Sequence, residues 1–353
     1  HLPYRKRDGT IVRDQYTHPW LAGHGYVCIR TDMRGNGDSD GLMTDEYTHQ
    51  EHQDAIEVIE WAANQSWCNG NVGMMGISWG GFNALQVAAL APKPLKAIIS
   101  LCSTVDRYAD DIHYKGGCLL GENFGWSTNM LSYSSRPPDP SLVGEKWRKM
   151  WMNRLENLEL DLSRWLNHQH RDEYWKYGSV CEDYSAIKAA VLSISGWHDG
   201  YRNTTNHLIK NLTSPVKGII GPWIHKYPHY AAPSPAIGFL QEAKRWWDHW
   251  LKDIDTGVDK DPDFRAYLMD SVTPKRWMDD RPGRWIVEKN WPSETINKET
   301  LYFSQGAALE LSPTPFNVSI SSAQNCGSKA GEYFPFAFSD ELPENQSHDD
   351  AHS

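Results

Sequence analysis

The chain has 353 residues, of which 40% are apolar and 23% charged, and a net charge of −10 at pH 7. That length is enough for about two domains, the composition is that of a folded globular protein rather than a disordered one, and the negative field repels phosphate backbones and anionic lipid, so neither a nucleic acid nor a membrane is expected as partner. Seventeen tryptophans point to deep cores and pockets. The six cysteines form no C-x-x-C pair, so buried free thiols are expected rather than a zinc knuckle or a disulfide framework. There is no run of about eighteen uncharged apolar residues. The opening HLPYRKRDGT is too charged for a signal-peptide core, and a start at His1 rather than Met leaves localisation open, with the cytoplasm as default and secretion as the alternative.

In chain order, short apolar runs alternate with helical periods, the pattern of a parallel sheet flanked by helices. The spacing predicts strands over 25–31 (GYVCIRT), 72–77, 96–102, 190–195 and 216–220, and helices over 48–63, 79–91, 201–212 and 237–251. Residues 106–188 break the alternation with Trp-rich, helically spaced stretches and read as an inserted helical cap. The catalytic core is accordingly expected over 1–105 and 189–255. Beyond the charged, helix-breaking KDIDTGVDKDPD, short alternating runs (FRAYLMD, RWIVEK, TLYFSQ, FNVSISS) predict a separate all-β sandwich over 261–353.

Gly76-Ile77-Ser78-Trp79-Gly80 has the G-x-S-x-G form of a nucleophile elbow, placed between a strand pattern and a helix pattern as a sharp strand-to-helix turn requires. A serine hydroxyl is a weak nucleophile at neutral pH and needs an imidazole base whose tautomer is held by a carboxylate. With such an elbow the partners follow in the order acid, then histidine, at later strand ends. Asp199, after VLSISGW, and His225, in GPWIH after the strand over 216–220, fit that order; His198 is a rival to Asp199 by position, but only a carboxylate can orient an imidazole. Asp32 and Arg34 read as a structural ion pair in a loop. His49 and His52 lie on one helical face, where THQEHQD reads as a solvated surface rather than a metal site.

Pro3-Tyr4-Arg5, Asp32-Met33-Arg34-Gly35-Asn36-Gly37-Asp38-Ser39, the elbow, Gly196-Trp197-His198-Asp199 and Gly221-Pro222-Trp223-Ile224-His225 together resemble the CocE/NonD serine hydrolases, the group of cocaine esterase, α-amino-acid ester hydrolases, glutaryl-cephalosporin acylases and Xaa-Pro dipeptidyl-peptidase-like enzymes. The resemblance spans nearly the whole chain. It implies an α/β-hydrolase core, a helical cap and a C-terminal jelly roll. It further implies Ser78 as nucleophile, Asp199 and His225 as its partners, the Tyr4 hydroxyl and the Trp79 backbone N–H as oxyanion hole, and no metal or cofactor. In the amino-acid ester hydrolases a carboxylate placed like Asp110 or Asp111 binds a substrate ammonium, so these two are candidate substrate contacts. The relatives carry sheet strands ahead of Pro-Tyr and jelly-roll strands after the segment resembling SDELPENQSHDD, so by resemblance the chain reads as a fragment at both ends. The expected reaction is hydrolysis of small acyl or aminoacyl esters or amides. Xaa-Pro dipeptidyl-peptidase action, on a short peptide, is one alternative, and a catalytically silent ligand-binding relative is another.

Overall fold

The computed structural model describes residues 1–325 except 274, 320 and 322. Two short helices, α1 (Ile11–Gln15) and α2 (His18–Gly23), open the chain, followed after a loop by α3 (His49–Ala63). Thr48 caps α3, its side chain accepting from the Glu51 N–H, which satisfies one of the donors a helix start leaves open. Then come β1 (Val72–Ile77), α4 (Trp79–Ala89) and β2 (Leu95–Leu101). The stretch between β2 and the next sheet strand holds a small hairpin, β3 (Tyr114–Lys115) with β4 (Cys118–Leu119), and helices α5 (Glu122–Ser134), α6 (Pro140–Val143), α7 (Trp147–Glu156), α8 (Leu162–Asn167) and α9 (Glu173–Lys176). The chain re-enters the sheet through β5 (Ala190–Gly196), α10 (Thr204–Asn211), β6 (Val216–Gly221) and α11 (Phe239–Lys252), and continues in β7 (Phe264–Met269) and β8 (Gly283–Glu288).

These strands form one six-stranded sheet in the order β1-β2-β5-β6-β7-β8, parallel from β1 to β7 and closed by an antiparallel β8. Alternate residues serve opposite faces. Ala97, Ile99 and Leu101 of β2 pack with Phe239, Ala243, Trp246 and Trp247 of α11, whereas Ile98 packs with Ala84, Leu85 and Ala88 of α4. Helix α4 can lie this close to the sheet because of two glycines. A Cβ on Gly76 would stand 2.6 Å from the Gly80 Cα, and one on Gly81 2.5 Å from the Leu101 carbonyl oxygen. Parallel strands put all their carboxyl ends on one edge, so the residues that follow β1, β5 and β6 converge there.

The expected strands after residue 72 are present within a residue or two of their predicted ends, but the one over 25–31 is not. That run is extended and pairs with nothing among the described residues; a cavity of about 420 Å³ separates it from β1, leaving Val27 and Ile29 exposed. The runs FRAYLMD and RWIVEK do form strands, yet they join the central sheet as β7 and β8 instead of opening a separate sandwich. The free edge of β6 takes β7 in parallel after the α11 crossover, and a hairpin returns β8 beside it. Beyond them lie only the two-residue strands β9 (Tyr302–Phe303) and β10 (Leu309–Glu310) among the described residues; the expected strand FNVSISS forms none at its described positions, and residues 326–353 of the expected sandwich, with Cys326, lie outside the described residues.

Three smaller expectations are corrected. Asp32 and Arg34 do not pair: Asp32 accepts from the Lys6 backbone and ammonium and from the Asp38 N–H, while Arg34 makes two bonds to Asp54. The His49–His52 face is not solvated at His52, which is buried with Nδ1 on the Tyr177 hydroxyl at 2.7 Å and Nε2 on Gln86 Oε1 at 3.0 Å. Of the described cysteines, all free, only Cys102 is buried, and Cys118 is exposed.

Candidate active site

Ser78 occupies the turn between β1 and α4 with φ 59° and ψ −125°, a left-handed backbone that a non-glycine residue adopts only when its surroundings impose it. The constraint comes from both sides: the Ser78 N–H donates to the Leu101 carbonyl at 3.0 Å, and its own carbonyl accepts from Gly81 and Phe82 as α4 starts. Trp79 follows as the first helical residue, where a backbone N–H has no intrahelical acceptor. Its indole is held by Glu51 Oε1 at 2.7 Å, and Glu51 Oε2 accepts from the Tyr47 N–H at 2.7 Å. Burial pushes the Glu51 carboxyl up to about 7.

Asp199 and His225, past the ends of the adjacent strands β5 and β6, are both buried. Asp199 Oδ2 meets His225 Nδ1 at 3.0 Å, and Oδ1 accepts from the Tyr201 N–H at 3.0 Å. Burial acts to raise the Asp199 carboxyl, but the charge and hydrogen bond of His225, the Cys102 thiol and the Tyr201 N–H together hold it below the ordinary carboxylate range. Cys102 Sγ, Asp199 and His225 have ligand atoms within 4.8 Å of one another. They do not suit a metal ion: burial and the Asp199 charge raise the Cys102 thiol well above its usual value, so it is not the thiolate a metal needs, and the other two are engaged with each other.

Ser78 and His225 line one cleft of about 890 Å³ together with Tyr4, Asp111, Trp126 and Tyr201. The Tyr4 ring packs edge-on against Trp79 and Trp126, with centroids 6.2 Å away in each case, and it lines the same cleft as Ser78. Burial raises that phenol, keeping it a donor at any ordinary pH.

Of the two candidate aspartates the structure brings only Asp111 to the cleft. Asp110 is paired with Lys115 instead. Asp111 Oδ1 accepts from the Tyr201 hydroxyl at 3.0 Å and from the Ile112 N–H at 2.7 Å, while Oδ2 is buried without a hydrogen-bond partner. Burial, with the negative charge of Glu46 adding to it, pushes Asp111 up to about 6 against the opposing charges of His113 and Arg107.

Glu46, His113 and Arg107 carry no motif and were not among the sequence candidates. Glu46 Oε1 receives His113 Nε2 at 2.8 Å and Arg107 at 3.0 Å, and Oε2 receives the Trp126 indole at 3.2 Å. Against its burial, the His113 and Arg107 charges hold Glu46 down to about 2, so this carboxylate is ionised and already neutralised. The only available signal was the position of His113, two residues after the candidate Asp111; Glu46 and Arg107, 61 positions apart, gave none.

A parallel sheet with a strained serine between strand and helix, and an acid and a histidine at later strand ends, define an α/β-hydrolase fold. The chain belongs to the X-Pro dipeptidyl-peptidase (S15) family, which it matches over residues 1–227. It is 24% identical over 380 residues to a putative serine esterase of Mycobacterium bovis, covering 92% of this chain and 56% of that protein. To the cocaine esterase of a Rhodococcus species it is 25% identical over 346 residues, covering 88% and 58% respectively. Among solved structures, a CocE/NonD family hydrolase from Staphylococcus aureus superposes with a TM-score of 0.63 at 23% identity over 79% of this chain and 45% of that one. The chain thus spans a little over half the length of the curated relatives it matches.

Proposed function

We propose that this chain is a serine hydrolase that cleaves small acyl or aminoacyl esters and amides through an acyl-enzyme on Ser78. The observation that carries the reading is the 3.0 Å bond between the buried Asp199 and His225, the histidine lining the same cleft as Ser78. In this mechanism His225 takes the Ser78 proton through Nε2 as the hydroxyl oxygen attacks the substrate carbonyl, and Asp199 fixes the proton on Nδ1 and stabilises the imidazolium. The tetrahedral oxyanion is met by the Trp79 N–H and the Tyr4 hydroxyl, donors of a kind commonly worth about 3 kcal/mol of barrier each. His225 then protonates the leaving group, and water repeats the cycle in reverse to free Ser78. No step calls for a metal or a cofactor.

The acyl side of the substrate lies against residues 106–188, read as a cap. There the unpartnered Oδ2 of Asp111 suits an α-ammonium, and aminoacyl substrates are therefore preferred. A fluorophosphonate probe tests the reading. It should label the folded chain, with the modification mapped to Ser78 by peptide mass analysis, and Ser78→Ala should abolish labelling and p-nitrophenyl ester turnover together. Labelling that survives the substitution defeats the assignment.

A further inference from the structure

Beside the elbow, one buried carboxyl takes no part in the proton transfers. Glu51 stands in the first turn of α3 and is buried. Its two oxygens are engaged by two donors, Oε1 by the Trp79 indole and Oε2 by the Tyr47 backbone N–H, each at 2.7 Å. Both partners adjoin strained backbone. Trp79 directly follows Ser78 at φ 59°, and Tyr47 is itself at φ 55°, in the left-handed region that a bulky side chain disfavours. One carboxyl thus ties the loop that enters α3 to the turn that enters α4, across 28 positions of sequence to Trp79.

The Trp79 ring stands among other aromatics. It packs against Tyr47 with centroids 4.7 Å apart, and against the edge of Tyr4 at 6.2 Å. Under the hydrolase reading, on which this inference rests, the oxyanion is met by the Trp79 N–H and the Tyr4 hydroxyl. One donor belongs to the residue whose indole Glu51 holds, and the other to a ring packed on that indole. Rotation of the indole would therefore move the support of both. A donor aimed at a developing charge is effective only when its position is fixed beforehand.

Filling space does not require a carboxyl here. Burial disfavours the charged form and pushes Glu51 up to about 7, in spite of the bonds from Trp79 and Tyr47. An apolar side chain would occupy the volume without that penalty, but it would leave two buried N–H groups unmet. An amide has one acceptor oxygen, and its NH2 would face the second donor. A carboxylate is the group that can accept from both.

We propose that Glu51 is a positioning residue for the oxyanion hole, acting through the Trp79 indole to hold the Trp79 N–H and the Tyr4 hydroxyl where the oxygen of the tetrahedral intermediate forms.

The test compares Glu51→Gln, Trp79→Phe and the double variant, with kcat for a p-nitrophenyl ester expressed per Ser78 labelled by the fluorophosphonate, so that unfolded chains do not count. Glu51→Gln should lower kcat about ten- to a hundredfold while KM changes less than about twofold. A trifluoromethyl ketone supplies a readout that a merely structural role would not move. Ser78 Oγ adds to its carbonyl carbon, the serine proton passes to His225, and the former carbonyl oxygen carries the negative charge into the hole. Its Ki should rise by the factor by which kcat/KM falls. Trp79→Phe deletes the indole N–H and should show the same pattern, which gives a second, independent variant. In that background one acceptor suffices for Tyr47, so adding Glu51→Gln should change kcat less than about twofold. Wild-type kcat and Ki in a labelled Glu51→Gln or Trp79→Phe chain overturn the inference, as do effects that multiply in the double variant; either result leaves the hydrolase reading standing. Absence of Ser78 labelling in the wild type removes both.

Discussion

Asp199, bonded to His225, and Asp111, which lines the cleft, are joined through Tyr201: its backbone N–H donates to Asp199 Oδ1 and its hydroxyl to Asp111 Oδ1, each at 3.0 Å. One residue therefore links the carboxylate proposed to orient His225 with the carboxylate proposed to hold the substrate's ammonium. Tyr201→Phe keeps the first bond and deletes the second. The expected result is a several-fold fall in the ratio of kcat/KM for an α-amino acid ester over its des-amino analogue, read from matched p-nitrophenyl esters. A ratio unchanged by the substitution would separate Asp111 from recognition.

The Asp111 carboxyl, held up to about 6, gives that same ratio a pH dependence. Below this value the group is neutral and attracts an ammonium weakly. The preference should therefore grow as pH rises through about 6, then fade as the substrate amine loses its proton. Stability moves in the opposite sense. A buried carboxyl with a raised pKa is cheapest when protonated, so the wild type bears an ionisation cost of roughly 2 to 3 kcal/mol at neutral pH that vanishes below about pH 4. Asp111→Asn, which retains an oxygen for Tyr201 and Ile112, should raise Tm at pH 7.5 and change it little at pH 4.

Removing the base or its partner should be severe and non-additive. His225→Ala is expected to lower kcat by several orders of magnitude, and Asp199→Asn by somewhat less, since the amide still accepts from Tyr201 but no longer selects the imidazole tautomer. The double variant should be scarcely worse than His225→Ala. Steady-state turnover of a p-nitrophenyl ester distinguishes this from independent contributions, which would multiply.

The pair of Glu46 with Arg107 and His113 should be visible as acid lability. Glu46 is held down to about 2, so its stabilisation is complete above the unfolded carboxyl's range near 4 and is lost as pH falls toward 2. Glu46→Gln removes the charge that Arg107 and His113 face and turns one acceptor oxygen into a donor, which should cost about 3 to 5 kcal/mol at pH 7. Thermal unfolding should show a Tm gap between wild type and variant that narrows from pH 5 to pH 2. A gap independent of pH would mean that packing, not charge, is what Glu46 supplies.

How much of this could be read from the chain depended on whether the signal was local. The elbow at Ser78 and the strand ends preceding Asp199 and His225 are short-range patterns, and the structure has Ser78 and His225 lining one cleft with Asp199 bonded to His225. Residues 25–31 have an equally good strand pattern but pair with no strand among the described residues, because periodicity registers a pleated, half-buried surface and not the presence of a partner. The β7–β8 hairpin was legible as two strands, whereas its attachment to β6 depends on a crossover whose destination no local pattern encodes. His52 looked solvated within THQEHQD, because the groups that bury it, Tyr177 and Gln86, come from elsewhere in the chain. Glu46, Arg107 and Asp111 likewise acquire their properties from one another across long separations, and Asp110, identical to Asp111 by sequence, is diverted by Lys115.

The close seating of α4 bears on how such a site could change over generations. At Gly76 and Gly81 the smallest possible enlargement, a single methyl, would run into backbone atoms at 2.6 and 2.5 Å. Backbone cannot step aside as a flexible side chain can. Neither position therefore offers a series of slightly impaired intermediates through which a lineage might drift. New specificities in proteins built on this plan should accumulate in the Asp106–Lys188 stretch and in the loop after β6, while the turn that presents Ser78 stays as it is or is lost in one step.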